Sequence, residues 1–150
     1  MVQYGYYECP FGLMKIGVED EKIVAIRRCD AIEELPSPTP LSDQAAAQLS
    51  EYFAGGRKTF DLPLSPKGTP FQTAVWNTLL HIPFGETRSY GQIAATIGNH
   101  KATRAVGMAC NRNPIWIVIP CHRVVGANRK LTGYAGGLEM KQWLLQLEKA

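Results

Sequence analysis

Cys121 sits in the stretch IPCHRVVG, residues 119–126, directly after Pro120 and directly before His122 and Arg123. A cysteine there could pack as a small apolar side chain, ligate a metal, form half of a disulfide or act as a nucleophile. The thiolate is the nucleophilic form, and cationic neighbours favour it. In an extended chain adjacent side chains point to opposite sides, so His122 would reach the Cys121 thiol through a bridging water. A histidine acting as a base needs one ring nitrogen oriented by a partner. Glu148 is a candidate: its wheel position falls between Leu144 and Leu145 on a largely apolar face of the last helix. A solvated place near the fraying helix end is the alternative.

Cys9, Cys29 and Cys110 are the other cysteines, irregularly spaced and without a CxxC pair or an HxxxH. Free thiols and no metal site are the expectation. The N-terminus lacks a basic start followed by an apolar run, and no stretch nears the roughly 18 to 20 apolar residues of a membrane span. No membrane partner is expected, and the chain reads as cytoplasmic.

These chemical residues need a scaffold. Residues 4–30 contain β-prone runs separated at Glu19-Asp20-Glu21, which predicts a hairpin. A proline-rich loop, 31–40, leads to a helix with Ser42 as N-cap and Gly55-Gly56 as its stop. Residues 57–70 hold three prolines and form the best linker candidate, with a boundary near residue 66. The expected fold is therefore α/β of the α+β type. A small strand-plus-helix domain, 1–66, precedes a mainly helical domain, 67–150.

In the second half, Thr69-Pro70 opens a helix whose apolar positions include Phe71, Ala74, Val75, Thr78, Leu79 and Ile82. Ser89 and Gln92 form a capping box for the next helix, closed by Gly98. A third helix, KATRAVGMACN, has Ala102, Ala105, Val106 and Ala109 on one side and Lys101, Arg104, Met108 and Asn111 on the other. Two short helices joined by a tight turn, the second small inside and basic outside, give a helix-turn-helix pattern. Asn113-Pro114 is a turn, and Ile115 to Ile119 reads as a buried extended run delivering Cys121.

Charge divides unevenly. Residues 1–66 hold 6 Lys+Arg against 10 Asp+Glu, whereas residues 67–150 hold 10 against 3. A basic module attached to an acidic one points to a polyanion partner, with nucleic acid favoured.

IPCHRVVG, with RNP upstream and GYAGG downstream, resembles the signature of the O6-alkylguanine-DNA alkyltransferases, the methylated-DNA–protein-cysteine methyltransferases. TPFQTAVWNTLLHIPFGETRSYGQIAATIGNHKATRAVG resembles the same family in order and spacing, so the likeness runs from about residue 69 to 148. Residues 1–66 resemble the family's N-terminal, ribonuclease H-like domain in size and strand-helix order. The resemblance implies stoichiometric, irreversible transfer of an alkyl group from O6-alkylguanine, with O4-alkylthymine a further candidate, to Cys121. It implies that His122 deprotonates Cys121 through a water, that Glu148 orients His122, and that Asn113 braces the turn before the active-site segment. Tyr90 would donate to the departing guanine, Val124 would hold its exocyclic amine through a carbonyl, Tyr134 would flank the pocket and Ala135 would line it through its amide.

Arg104 would fill the gap left by a flipped nucleotide, with the recognition helix in the minor groove. Lys101, Ala102, Ala105 and Arg123 complete the expected substrate- and DNA-contacting set. The partner is double-stranded DNA carrying O6-alkylguanine, the protein a monomer in solution. No cofactor is needed, because the lesion brings the alkyl group. The chain departs from the family at LQLEKA, where a histidine often precedes the glutamate and a glycine follows it, and at Ala135, where some members carry serine.

Other readings predict different residues. A module that only flags alkylated DNA for another pathway would lack a working acceptor. A cysteine hydrolase would bring cysteine and histidine from distant segments. A DNA-binding regulator would carry more base-reading polar residues on its recognition helix.

Overall fold

Three antiparallel strands open the chain: β1 (Gln3–Cys9), β2 (Gly12–Glu19) and β3 (Lys22–Cys29), in the order β1-β2-β3. A computed structural model describes residues 1–149, apart from the Arg129 side chain. The β2–β3 hairpin predicted at Glu19-Asp20-Glu21 is present. Asp20 and Glu21 both take positive φ, 52° and 59°, which a two-residue turn matching strand twist requires. β2 is covered on both faces. Met14, Ile16 and Val18 are buried on one, and Lys15 is buried on the other beneath the Tyr4 ring, paired with Glu33 and Glu34.

Helix α1 (Pro40–Phe53) follows. Its N-cap is Thr39, not Ser42. Pro40 suits the first helical position, so the cap falls one residue before it, and Ser42 answers from the third position in a reciprocal capping box. The segment after α1 is pinned along much of its length. Gln48 exchanges hydrogen bonds with both backbone groups of Asp61, at 2.9 and 3.1 Å. Pro63 and Ser65 bond to Ile23 of β3 at 2.8 Å each. This first compact unit spans Met1–Lys67.

The second unit begins at Gly68. Helix α2 (Pro70–Leu79) has the Thr69–Gln72 capping box. Its inner face is Val75, Trp76 and Leu79, while Ala74 faces out. Strand β4 (Arg88–Ser89) feeds directly into α3 (Tyr90–Thr96), capped by Ser89 and Gln92. Gly98 takes the turn at φ 80°, one 3-10 turn covers His100–Ala102, and α4 (Thr103–Asn111) completes the helix-turn-helix. Trp76 Nε1 donates to Ala109 O at 2.9 Å and ties α4 to α2. After Cys121 come β5 (Val124–Val125), parallel to β4, then a loop and α5 (Leu138–Lys149). A sheet-and-helix unit followed by a mainly helical one is the mixed architecture that the sequence pattern implied.

Candidate active site

The segment that delivers Cys121 is not the extended run its sequence suggests. Ile117 has φ 73°, rare for a β-branched residue, and the chain doubles back there. Val118 N donates to Trp116 O at 2.8 Å and Ile119 N to Ile115 O at 3.1 Å. A flat strand would send alternate side chains to opposite faces. The turn instead lets Ile115, Ile117, Val118 and Ile119 all be buried.

Asn113 locks this turn to the cysteine. Its Nδ2 donates to Ile119 O at 2.8 Å and to Cys121 Sγ at 3.1 Å, while its Oδ1 accepts from Ile115 N at 2.9 Å. Only the amide nitrogen can serve a carbonyl oxygen, so these partners fix which way the side chain faces.

Cys121–Arg123 form a 3-10 turn, again not the extended chain assumed from sequence. Three residues per turn fan successive side chains by about 120°, so the thiol and the imidazole still diverge. His122 is fully buried, and its Nε2 lies 2.7 Å from Glu148 Oε2. A carboxylate only accepts, so Nε2 carries the proton and Nδ1 keeps a lone pair. Among the described residues Nδ1 meets no hydrogen-bond partner. Burial holds His122 below its ordinary range despite the Glu148 contact, so the ring is neutral at neutral pH and Nδ1 is a base.

Glu148 is buried, not solvated, at 4% exposure. Besides His122 it takes two arms of Arg123, Nε to Oε1 at 2.8 Å and Nη2 to Oε2 at 3.0 Å; Arg123 Nη1 reaches Ile82 O at 2.7 Å. This corrects the expectation that Arg123 contacts DNA. A buried carboxylate requires a cation and hydrogen-bond donors, and the guanidinium is consumed in supplying both. Nor does Arg123 poise the thiolate. Burial pushes the Cys121 thiol up to about 11, while the Asn113 bond and the Lys141 charge pull it down. At neutral pH Cys121 is therefore a thiol.

Tyr90 opens α3. Its hydroxyl donates to Thr132 O at 2.9 Å, with Gly133 O at 3.4 Å. Burial raises its pKa above the ordinary phenol value, and the charges of Cys110 and Cys121 add to the shift. Tyr134 is buried with its ring centroid 6.0 Å from that of Trp116, Ala135 is exposed on the loop, and Val124 is buried in β5.

The outer face of α4 presents Arg104, Ala105 and Met108, with Lys101 exposed just before it. Two details of the sequence wheel change. Ala105 lies outside, and the inner face is Ala102, Val106, Ala109 and Cys110. Ala102, expected among the DNA-contacting residues, lies in the 3-10 turn His100–Ala102 and packs inward, on the side where the wheel placed it.

Residues 70–150 match the family described as 6-O-methylguanine DNA methyltransferase, DNA binding domain, and residues 2–66 match its ribonuclease-like domain. The chain belongs to the 6-O-methylguanine DNA methyltransferase family. It is 48% identical to a Methanosarcina acetivorans methylated-DNA–protein-cysteine methyltransferase, over 97% of each chain. It is 59% identical to the constitutive Bacillus subtilis enzyme of that name, over 74% of this chain and 68% of the relative. The solved Mycobacterium tuberculosis O6-methylguanine methyltransferase superposes with a TM-score of 0.91 at 45% identity, covering 99% of this chain and 93% of its own. The M. tuberculosis protein has also been solved in complex with DNA, and that structure gives the same TM-score.

One buried residue of this methyltransferase escaped the sequence reading. Lys141 is fully buried, and its Nζ donates to Thr132 O at 2.8 Å, Gly133 O at 3.3 Å and Tyr90 OH at 3.3 Å. The available signal was its place on α5: Lys141, Leu144 and Glu148, at i, i+3 and i+7, form one stripe. Among the described residues, no helix of the methyltransferase is long and apolar enough to cross a membrane.

Proposed function

We propose that this chain repairs DNA by moving the alkyl group of O6-alkylguanine onto Cys121 Sγ, once per molecule. The chain is a DNA-repair alkyltransferase of its family, acting on DNA with a cysteine of its own as acceptor. The observation that carries the assignment to Cys121 is its setting: a thiol held by Asn113 at 3.1 Å, followed in sequence by a neutral histidine braced by Glu148 at 2.7 Å.

His122 Nδ1 takes the Cys121 proton through one water, and the imidazolium that forms faces the Glu148 carboxylate. Waiting until substrate is bound keeps the thiol unreactive, consistent with its raised pKa. The thiolate attacks the alkyl carbon in line, a C–S bond forms and the C–O6 bond breaks. The electron pair leaves with guanine, which Tyr90 meets with its hydroxyl. The thioether offers no easy hydrolysis, so the protein is consumed.

O6 of guanine is shielded inside the duplex, so the nucleotide must leave the stack. In this reading α4 lies in the minor groove, Arg104 occupies the gap, and Ala105 permits close approach. Lys101 serves phosphates, which suits repair at any sequence. Val124 O, Tyr134 and the Ala135 amide receive the base. O4-alkylthymine is a second candidate substrate.

Restriction cleavage at a site blocked by one O6-methylguanine tests the stoichiometry. Repaired duplex is expected to rise to one per protein and stop. Continued turnover would contradict the mechanism. Tight binding without repair would indicate a lesion-flagging module instead.

A further inference from the structure

Met108 stands on the outer face of α4 and is 60% exposed. A single exposed apolar side chain is ordinary on a protein surface. The place of this one is not. Arg104 precedes it by four residues and Arg112 follows it by four, and all three are exposed, so they stand in one line with a cation on either side of an apolar centre. Arg112 caps the helix, its N donating to Met108 O at 3.1 Å, which carries the line past the last turn. Beside Met108 the face is low, with Ala105 exposed and Gly107 half-buried, so the methionine is the tallest apolar feature on it. The sequence holds no Asp or Glu from Thr87 to Leu138, so no acid of α3 or α4 opposes a polyanion at this face.

We propose that Met108 is a specificity-determining residue, which packs against the minor-groove edge of a base pair beside the lesion and disfavours guanine there. The proposal rests on the reading above in which Arg104 occupies the gap left by the flipped nucleotide. One helical turn separates the two residues, a rise of about 6 Å, against about 3.4 Å for each base step. Met108 therefore falls within about two base pairs of the gap, and on one side of it only, because α4 runs in one direction. A thioether side chain donates nothing, and its sulfur accepts weakly. Every base pair presents acceptors in the minor groove, and only guanine adds a donor, its N2 amine. An A·T pair beneath Met108 offers a floor free of N–H groups. A G·C pair raises an amine that meets the methionine, loses its water and gains no acceptor. Minor-groove proteins press apolar side chains, methionine among them, onto base steps, and the three rotatable bonds of methionine fit it to a floor of varying shape. The effect tunes the rate and bars no sequence, in keeping with binding through phosphates.

The test is single-turnover repair, below saturation, of duplexes that each carry one O6-methylguanine. The pairs one and two steps from the lesion are set to A·T, inosine·C or G·C, first on one flank and then on the other. Inosine is guanine's nucleoside without the N2 amine. On one flank, A·T and inosine·C are expected to be repaired alike and G·C roughly 3- to 10-fold more slowly, the worth of one unmade hydrogen bond. The other flank is expected to show no such order. Equal rates for all three pairs would overturn the proposal. So would the same order, of the same size, on both flanks, which is what duplex strength alone gives. Two variants supply the second arm. Met108→Ala is expected to flatten the order. Met108→Gln keeps the reach and adds a carbonyl acceptor, so G·C is expected to gain on A·T. An order that survives unchanged in both variants would overturn the proposal. The wild-type comparison needs no variant, so it decides even where a variant fails to fold. Absence of methyl transfer to Cys121 from the A·T duplex would break the alkyl-transfer reading itself, whereas transfer without flank dependence would break only the role of Met108.

Discussion

Arg123 and Glu148 grip one another through two buried hydrogen bonds, Nε to Oε1 at 2.8 Å and Nη2 to Oε2 at 3.0 Å, while the same carboxylate takes His122 Nε2 at 2.7 Å. One carboxylate thus orients the base and is itself held by the cation that follows the base in sequence. Removing one partner of such a pair strands the other charge away from water, at a cost of about 3–5 kcal/mol. Arg123→Met is expected to lower the urea midpoint accordingly. The salt dependence of DNA binding should keep its slope, because the guanidinium faces Glu148 and not phosphate. A slope reduced by about one would return Arg123 to the DNA surface.

Glu148→Gln keeps the shape but removes the carboxylate that favours the Nε2–H tautomer. Single-turnover transfer is expected to slow by about 10²-fold, within the range of positioned acid–base effects. Binding to a lesion duplex should change little. An unchanged transfer rate would remove Glu148 from the proton path.

Burial depresses the His122 pKa from its ordinary 6.5. Below 6.5 the unfolded chain binds a proton that the folded chain refuses, so stability falls as pH drops from 6.5 towards the folded value. Cys121, raised to about 11 from 9.0, works at the other end. The unfolded thiol ionises first, so this contribution is full below pH 9 and is lost above it, up to about 11. Urea titrations at stepped pH check both limbs. The transfer rate should hold level as pH passes down through 6.5; an inflection at or above 6.5 would contradict a neutral, buried base.

Asn113→Ala leaves Ile119 O and Ile115 N without their side-chain partner and takes the donor from Cys121 Sγ. Each stranded backbone group costs about 1–3 kcal/mol. Loss of the donor should also push the Cys121 thiol higher. Reduced stability together with slower reaction towards a soluble alkylating agent is the expected pair of outcomes. Wild-type reactivity would exclude the contact with sulfur.

Arg104 is exposed on α4 and makes none of the contacts that hold Cys121, His122 or Glu148. Arg104→Ala should therefore impair repair in duplex DNA far more than reaction with free O6-benzylguanine. Equal losses in both assays would remove its role in holding the flipped state.

Much of this site was legible before the fold was known. The N-cap at Thr69, the capping box at Ser89 and the stop at Gly98 all act locally, so they can be read locally. What failed was non-local. The run Ile115–Ile119 reads as a strand because it is apolar, and apolar runs do not reveal a reversal at a positive-φ isoleucine. Arg123 reads as a DNA contact because arginine usually faces outward; only its meeting with Glu148, 25 residues away in sequence, turns it inward. Lys141 was passed over for the same reason, since its partners Tyr90 and Thr132 come from other segments.

The measurement closest to the central claim is the intact mass of the protein after mixing with a duplex carrying one O6-methylguanine, followed by peptide mapping. One added methyl group on the Cys121 peptide, saturating at one per protein and absent in Cys121→Ser, is the expected result. Repair with the methyl group on another residue, or tight binding with no change in mass, would contradict the account.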